Sequence, residues 1–164
     1  MKNVIKVFFF MIFASLFLSV SSIASAQGYE ALKGVRSAKA VFDVRIGNPQ
    51  SAALHLKLIH QTYKDLTAAK KKPVFRIVFI GPSVKLISKN REGFTPEDNK
   101  VLDGIVDAVS AMSKDGIQLE ICLVAAKVFK VDPVSVLPEI RHVENGWVSL
   151  IGYQAKSYSL VPAY

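Results

Sequence analysis

The sequence predicts an α/β domain of three layers, in which a mainly parallel sheet of about five strands is flanked by helices on both faces. Apolar strands and amphipathic helices alternate from Ala38 onward, and this order produces a parallel sheet with helical crossovers. Residues 74–80 are almost continuously apolar, as expected of a strand covered on both faces. No repeat, low-complexity tract or long linker divides the chain, so we expect a single domain.

The N-terminal segment is typical of a secretory signal peptide. Two lysines and no acidic residue precede an apolar run over residues 7–20, and Ala24 and Ala26 supply the small residues of a cleavage site. The run is shorter than the roughly 20 residues that span a bilayer as a helix, so we expect cleavage rather than retention as an anchor. Residues 1–26 are assigned to the signal, 27–37 to an N-terminal arm and 38–164 to the domain.

Composition limits the classes of partner. The chain has 21 basic and 13 acidic residues, and removal of Lys2 and Lys6 with the signal leaves a net charge of +6. The basic residues are scattered and form none of the motifs that read nucleic acid, so we expect no nucleic-acid partner. We expect no membrane association after signal cleavage, and the expected location is the periplasm.

The first strand is predicted over residues 39–46, and the first helix ends at about residue 69. The turn Gly47-Asn48-Pro49 separates them. The helix is amphipathic, and its predicted inward side chains are Leu54, Leu58, Ile59 and Leu66.

The second strand, residues 74–80, ends at the turn Gly81-Pro82-Ser83. Thr95-Pro96-Glu97-Asp98 is then typical of a helix start, because Thr95 is a good cap, Pro96 suits the first turn and Asp98 can reach back to the cap. This second helix stops at Gly116, and its predicted inward side chains are Leu102, Ile105, Val106, Val109 and Met112.

The remaining elements continue the alternation of strands and helices. The third strand ends in Cys122, the single cysteine of the chain. The predicted elements are strand 117–122, helix 123–130, a turn over 132–138, strand 140–143, helix 146–156 and strand 157–161.

Candidate site residues follow from the place where open parallel sheets bind ligands, beyond the carboxyl ends of the strands. That position selects Asn48 after the first strand, Ser83 after the second and Cys122 at the end of the third. The start of the next helix would stabilise a Cys122 thiolate, and Lys127 one turn on would add to this effect. An unpaired cysteine in an apolar strand is also commonly a small buried hydrophobe, so an inert Cys122 stays open.

Other kinds of site have little support in the sequence. His55 and His60 lie five residues apart on the first helix and His142 is distant, so we expect no metal site. No histidine adjoins Cys122 in sequence, which leaves a cysteine hydrolase unsupported. No glycine-rich phosphate loop or dinucleotide fingerprint follows any strand, and we expect no cofactor.

The order of these segments resembles the DsrE/DsrF-like family over about residues 39–162. The resemblance is carried by Ile117-Gln118-Leu119-Glu120-Ile121-Cys122, by Val136-Leu137-Pro138, by Gly146-Trp147-Val148 and by the ending from Tyr153 to Pro162. It implies a small α/β sandwich that associates into trimers or hexamers. It also implies that Cys122 matches the cysteine on which cytoplasmic sulfur-relay members carry a persulfide, with a donor or acceptor protein as partner.

Two functional hypotheses follow. In the first, an exported DsrE-like protein accepts sulfane sulfur on Cys122 as a sulfurtransferase-like carrier rather than a full enzyme, with Asn48, Ser83 and Lys127 at the binding site. In the second, the protein is a noncatalytic oligomeric binding or assembly module with a buried, inert Cys122. The solvent exposure of the sulfur separates the two hypotheses most directly.

Overall fold

A computed structural model describes residues 28–164, so the predicted signal over residues 1–26 and its cleavage point before Gln27 lie outside the described residues. A short 3-10 turn occupies Glu30–Leu32. The α/β unit extends over Gly34–Tyr164. Within residues 28–164, no helix combines the length and the apolar character needed to cross a membrane.

The α/β unit contains five strands and four α-helices in alternation. In chain order they are β1 Ser37–Val44, α1 Pro49–Ala68, β2 Lys72–Phe79, α2 Pro96–Lys114, β3 Gln118–Cys122, α3 Leu123–Val128, β4 Ile140–Val143, α4 Gly146–Ala155 and β5 Ser159–Ala163. Short 3-10 turns lie at Gly81–Lys85 and Pro133–Ser135. The predicted strands and helices are confirmed, and their bounds agree with the structure to within about two residues.

The five strands form one parallel sheet in the order β4-β3-β2-β1-β5, which confirms the predicted fold class. β2 is the central strand, and its Phe75 and Phe79 are each 2% exposed. Asp43 lies beside Val78, and Val78 lies beside Glu120. Because alternate residues of a strand share a face, these three side chains point to the same side of the sheet.

Helices α1 and α2 cover one face of the sheet. Tyr63 of α1 packs edge-on against Phe75, with the ring centroids 5.5 Å apart. α2 begins with the predicted capping box, in which the Asp98 N–H donates to the Thr95 hydroxyl and the Thr95 N–H donates to the Asp98 carboxylate. The buried side chains of α2 are Leu102, Ile105, Val109 and Met112.

The predicted inward face of α1 is wrong in part. Leu54 and Leu58 are 54% and 53% exposed, whereas Leu56, which was not expected to point inward, is buried. The buried stripe runs through Ala52, Leu56 and Ile59, at the spacings of four and three residues that one helix face requires. α1 carries apolar residues on two sides, and contact with the sheet and α2 decides which side is buried.

Helix α4 covers the other face of the sheet, and it buries only a few of its own residues there. The buried residues of α4 are Gly146 and Leu150. The outward side of α4 carries Trp147, Val148 and Ile151, which are 59%, 64% and 66% exposed; we call these three residues the α4 patch. The two faces of the sheet therefore differ, since one lies under two long helices and the other under a single helix of ten residues.

Candidate functional site

Cys122 ends β3 and caps α3, at the carboxyl end of the sheet where the sequence placed it. Its Sγ accepts a hydrogen bond from the Ala125 backbone N–H, with a nitrogen to sulfur distance of 3.4 Å. The residue is only 3% exposed. α3 has only six residues, and within residues 28–164 the Ala125 N–H is the hydrogen-bond donor that the structure gives to the sulfur.

The first residue of α4 packs directly against Cys122. A Cβ atom built on Gly146 would lie 2.8 Å from Ile80 Cγ1 and 3.0 Å from Cys122 Cβ, so this approach requires glycine. The chain just before α4 is joined to α3, because the Val124 N–H donates to the Glu144 carbonyl at 3.1 Å. Cys122 is thus enclosed by β3, by α3 and by the start of α4.

The three predicted binding residues have identifiable places in the structure. Asn48 is exposed, and its side-chain oxygen accepts the Ser51 N–H at 2.9 Å as the cap of α1. Ser83 is 1% exposed, and its hydroxyl lies 2.8 Å and 3.0 Å from the carbonyl oxygens of Val44 and Ile80. The Ser83 hydroxyl therefore joins the turn after β2 to β1.

Lys127 lies in the last turn of the short helix α3. Its side chain is exposed and forms no hydrogen bond or ion pair within residues 28–164. The loops that carry Asn48 and Ser83 do meet, since a Cβ atom on Gly47 would lie 2.9 Å from Pro82 Cβ. The carboxyl ends of β1 and β2 therefore share one packed pair of turns.

The sequence interpretation missed Arg45, which follows β1. Strand order reverses at β1, whose neighbours are β2 and β5, and open α/β sheets bind ligands at such a reversal. The Arg45 guanidinium donates to Asp43 at 2.9 to 3.0 Å, and lies 5.8 Å and 5.9 Å from the ring centroids of Trp147 and Tyr164. The hydrogen bonds that Arg45 donates to Asp43 raise the pKa of Arg45. Because buried Asp43 balances its charge, Arg45 acts as an anchor for the start of α4 rather than as a free anion site.

A second polar cluster lies between the sheet and α4. Glu120 precedes Cys122 by two residues on the same face of β3 and is 5% exposed. Its Oε1 accepts a hydrogen bond from the Tyr153 hydroxyl at 2.5 Å. Burial, reinforced by this hydrogen bond, raises the pKa of Tyr153 to about 12. The hydroxyl therefore remains a donor throughout the neutral range.

Two buried atoms of this cluster lack hydrogen-bond partners. Arg76 lies 5.8 Å from the ring centroid of Tyr153 and 5.6 Å from that of Tyr158. Within the residues that the structure describes, neither Arg76 Nε nor Glu120 Oε2 has a partner. A buried polar atom without a partner raises the free energy of the state that buries it.

Within residues 28–164, no histidine is hydrogen-bonded to Cys122. His60 Nε2 lies 2.6 Å from Asp115 Oδ2, and His55 Nδ1 lies 2.8 Å from the Ser51 carbonyl oxygen. His142 is level with Ile121, and therefore points to the face of the sheet opposite Cys122. Among residues 28–164, no three metal-ligating side chains come together.

Two sequence comparisons match nearly the whole chain. A family model described as the DsrE/DsrF-like family matches residues 14–162. An uncharacterized protein of Aquifex aeolicus (strain VF5) is 24% identical over 162 residues. The match covers 98% of this chain and 65% of the Aquifex protein, so this chain spans just under two thirds of that relative's length.

Two solved structures share the fold. The protein of unknown function MTH1491 from Methanobacterium thermoautotrophicum superposes with a TM-score of 0.61 at 13% identity, over 77% of this chain and 99% of that one. The ychN protein from E. coli gives a TM-score of 0.52 at 9% identity, over 76% of this chain and 98% of that one. At these identities the likeness concerns the fold alone.

Proposed function

This chain belongs to the DsrE/DsrF-like family, and from that membership we propose a sulfur-relay function in which Cys122 carries sulfane sulfur as a persulfide. The Cys122 thiolate attacks the outer sulfur of a donor persulfide, R–S–SH. A sulfur–sulfur bond to Cys122 forms as the donor's sulfur–sulfur bond breaks, and R–S⁻ leaves, so the exchange is redox-neutral. The acceptor thiolate then removes the outer sulfur from Cys122 in the same way.

The observation that supports this proposal is the hydrogen bond from the Ala125 N–H to Cys122 Sγ. The thiolate is the nucleophile in sulfur transfer, and the Ala125 N–H is a backbone donor aimed at the sulfur that would react. Cys122 is also the single cysteine of the chain, so any covalent sulfur carriage by a thiol falls to it.

Intact-mass spectrometry tests the proposal. After exposure to glutathione persulfide, the wild-type protein is expected to gain the mass of one sulfur atom, whereas Cys122→Ser gains none. Glutathione alone is the control for ordinary thiol chemistry. The same mass gain for the two proteins on persulfide treatment, or no gain by the wild type, would reject sulfur carriage by Cys122.

A second candidate function is supported by the burial of Cys122. At 3% exposure the sulfur is out of reach of a bulky donor, as expected of an inert core residue in a binding or assembly module. The same mass measurement separates the two functions, because the module takes up no sulfur and still associates.

Self-association and export complete the proposal. We propose a homo-oligomer, a trimer or a hexamer, that uses the α4 patch, since three adjoining apolar side chains on one short helix are typical of a contact surface.

We also propose export to the periplasm after cleavage of residues 1–26. Intact-mass measurement of the protein expressed with its N-terminal segment reports directly whether the mature chain begins at Gln27.

A further inference from the structure

We propose that Tyr153 and Glu120 are positioning residues that hold α4 closed over Cys122, and that the opening of α4 sets the rate at which a sulfur donor reaches the thiol. The inference rests on the proposed function for the identity of the reactant. The closed and open positions of α4 are otherwise independent of what reacts with Cys122.

α4 is the cover that must move. Gly146 is close enough to Cys122 and Ile80 that no side-chain atom fits between them, and Gly146 is itself buried. β3 and the core around it are fixed by pairing on both sides of the strand. Displacement of the first turn of α4 therefore exposes Cys122 without breaking the sheet.

Polar contacts contribute to holding α4 in place. Leu150 is the one large apolar side chain that α4 buries fully, whereas Val148 and Ile151 are about two thirds exposed. The remaining contacts of α4 include the Tyr153–Glu120 hydrogen bond and the approach of the Arg76 guanidinium to the Tyr153 ring. The Trp147 ring also lies against Arg45, which follows β1. Because Leu150 is the one large apolar side chain that α4 buries within its own chain, we expect the Tyr153–Glu120 hydrogen bond to contribute measurably to holding α4 closed.

The closed position of α4 also leaves two buried polar atoms without hydrogen bonds, and opening of α4 exposes both atoms to water. Glu120 Oε2 and Arg76 Nε are buried beneath α4 without partners in the described part of the chain. Both atoms gain hydrogen bonds to water when α4 moves away, which offsets part of the loss of the Tyr153 contact. We therefore expect the two atoms without partners to reduce the free energy by which the closed position is favoured.

Labelling of Cys122 with iodoacetamide measures the opening directly, since the chain has no other cysteine. Tyr153→Phe removes only the hydroxyl that bonds Glu120, and we expect it to raise the labelling rate about tenfold, the factor that one hydrogen bond represents. Tyr63→Phe is the matched control, because the Tyr63 hydroxyl donates to the Asp115 carbonyl at 2.8 Å on the opposite face of the sheet. Tyr63→Phe is expected to leave the labelling rate unchanged.

If both variants are labelled faster to the same extent, Cys122 is reached only by global unfolding. If neither variant is labelled faster, the Tyr153–Glu120 hydrogen bond does not control access to Cys122. Either result overturns the inference. Hydrogen exchange on the wild-type protein supplies a second test if Tyr153→Phe does not fold. The α4 amides are expected to exchange together and faster than those of β2 and β3, and equal protection overturns the inference. Faster labelling of Tyr153→Phe without any sulfur uptake by Cys122 would reject the proposed function and leave the α4 cover standing.

Discussion

Gly146 packs against Cys122 and Ile80 without room for a side chain. A Cβ atom at this position would overlap Ile80 and Cys122 at 2.8 to 3.0 Å. We expect Gly146→Ala to lower the free energy of unfolding by about 1 to 3 kcal/mol, the usual cost of forcing an extra carbon into a packed site. Urea unfolding measures the change.

Gly152, six residues later on α4, is the matched control. A Cβ atom there would meet nothing within 4 Å. Gly152→Ala should therefore raise the free energy of unfolding by about 0.5 to 1 kcal/mol, because alanine is the better helix former. Equal effects of the two substitutions would show that the contact between Gly146 and Cys122 is not a tight one.

The sequence located Cys122 and missed its polar neighbours for a physical reason. A strand followed at once by a helix places its last residue at the carboxyl edge of the sheet, and that much is local information. In the sequence, Glu120 and Arg45 are charged residues within predicted strands, and such residues are commonly exposed to solvent. They become partly or fully buried because α4, a distant segment in the sequence, folds across them, and no local pattern contains that information.

The free energy of unfolding at alkaline pH should depend on the hydrogen bond by which Tyr153 holds α4 to Glu120. The pKa of Tyr153 is raised from 10.0 to about 12 in the folded chain. A group with a raised folded pKa contributes stability that is fully present below its unfolded pKa and is lost as the pH rises through the folded value. This contribution should therefore decline between pH 10 and pH 12.

Urea unfolding of wild type and Tyr153→Phe across that range tests the expectation. Wild type should be the more stable protein below pH 10, and its advantage should shrink towards pH 12, because phenylalanine has no proton to lose. A constant difference between the two proteins across this range would contradict the raised pKa of Tyr153.

The elements themselves were predictable where short-range chemistry determines them. The capping box of Thr95 and Asp98 involves four consecutive residues, and the structure contains it as expected. The inward face of α1 was less predictable, because apolar residues lie on two sides of that helix. Leu56 is buried and Leu54 is exposed as a result of packing against partners that the local sequence does not contain.

For the whole molecule, the α4 patch should determine self-association. Ile151→Asp places a charge in the centre of the patch, and we expect the mass measured by light scattering to fall from that of an oligomer to that of a monomer. Leu54→Asp is the matched control, since Leu54 is similarly exposed on α1, on the opposite face of the sheet. A wild-type monomer, or dissociation by both variants, would contradict association through α4.

The position of β5 has a consequence for the timing of biosynthesis. Ala40 of β1 lies beside Ser159 of β5, so one of the first strands to leave the ribosome has one of its two neighbours in the last. The sheet is not complete until translation has passed Ser159–Ala163, and until then one edge of β1 lacks its neighbour even when β2 is paired on the other. For the exported chain that we propose, completion of the fold only at its last strand favours threading through a translocation channel before folding is finished.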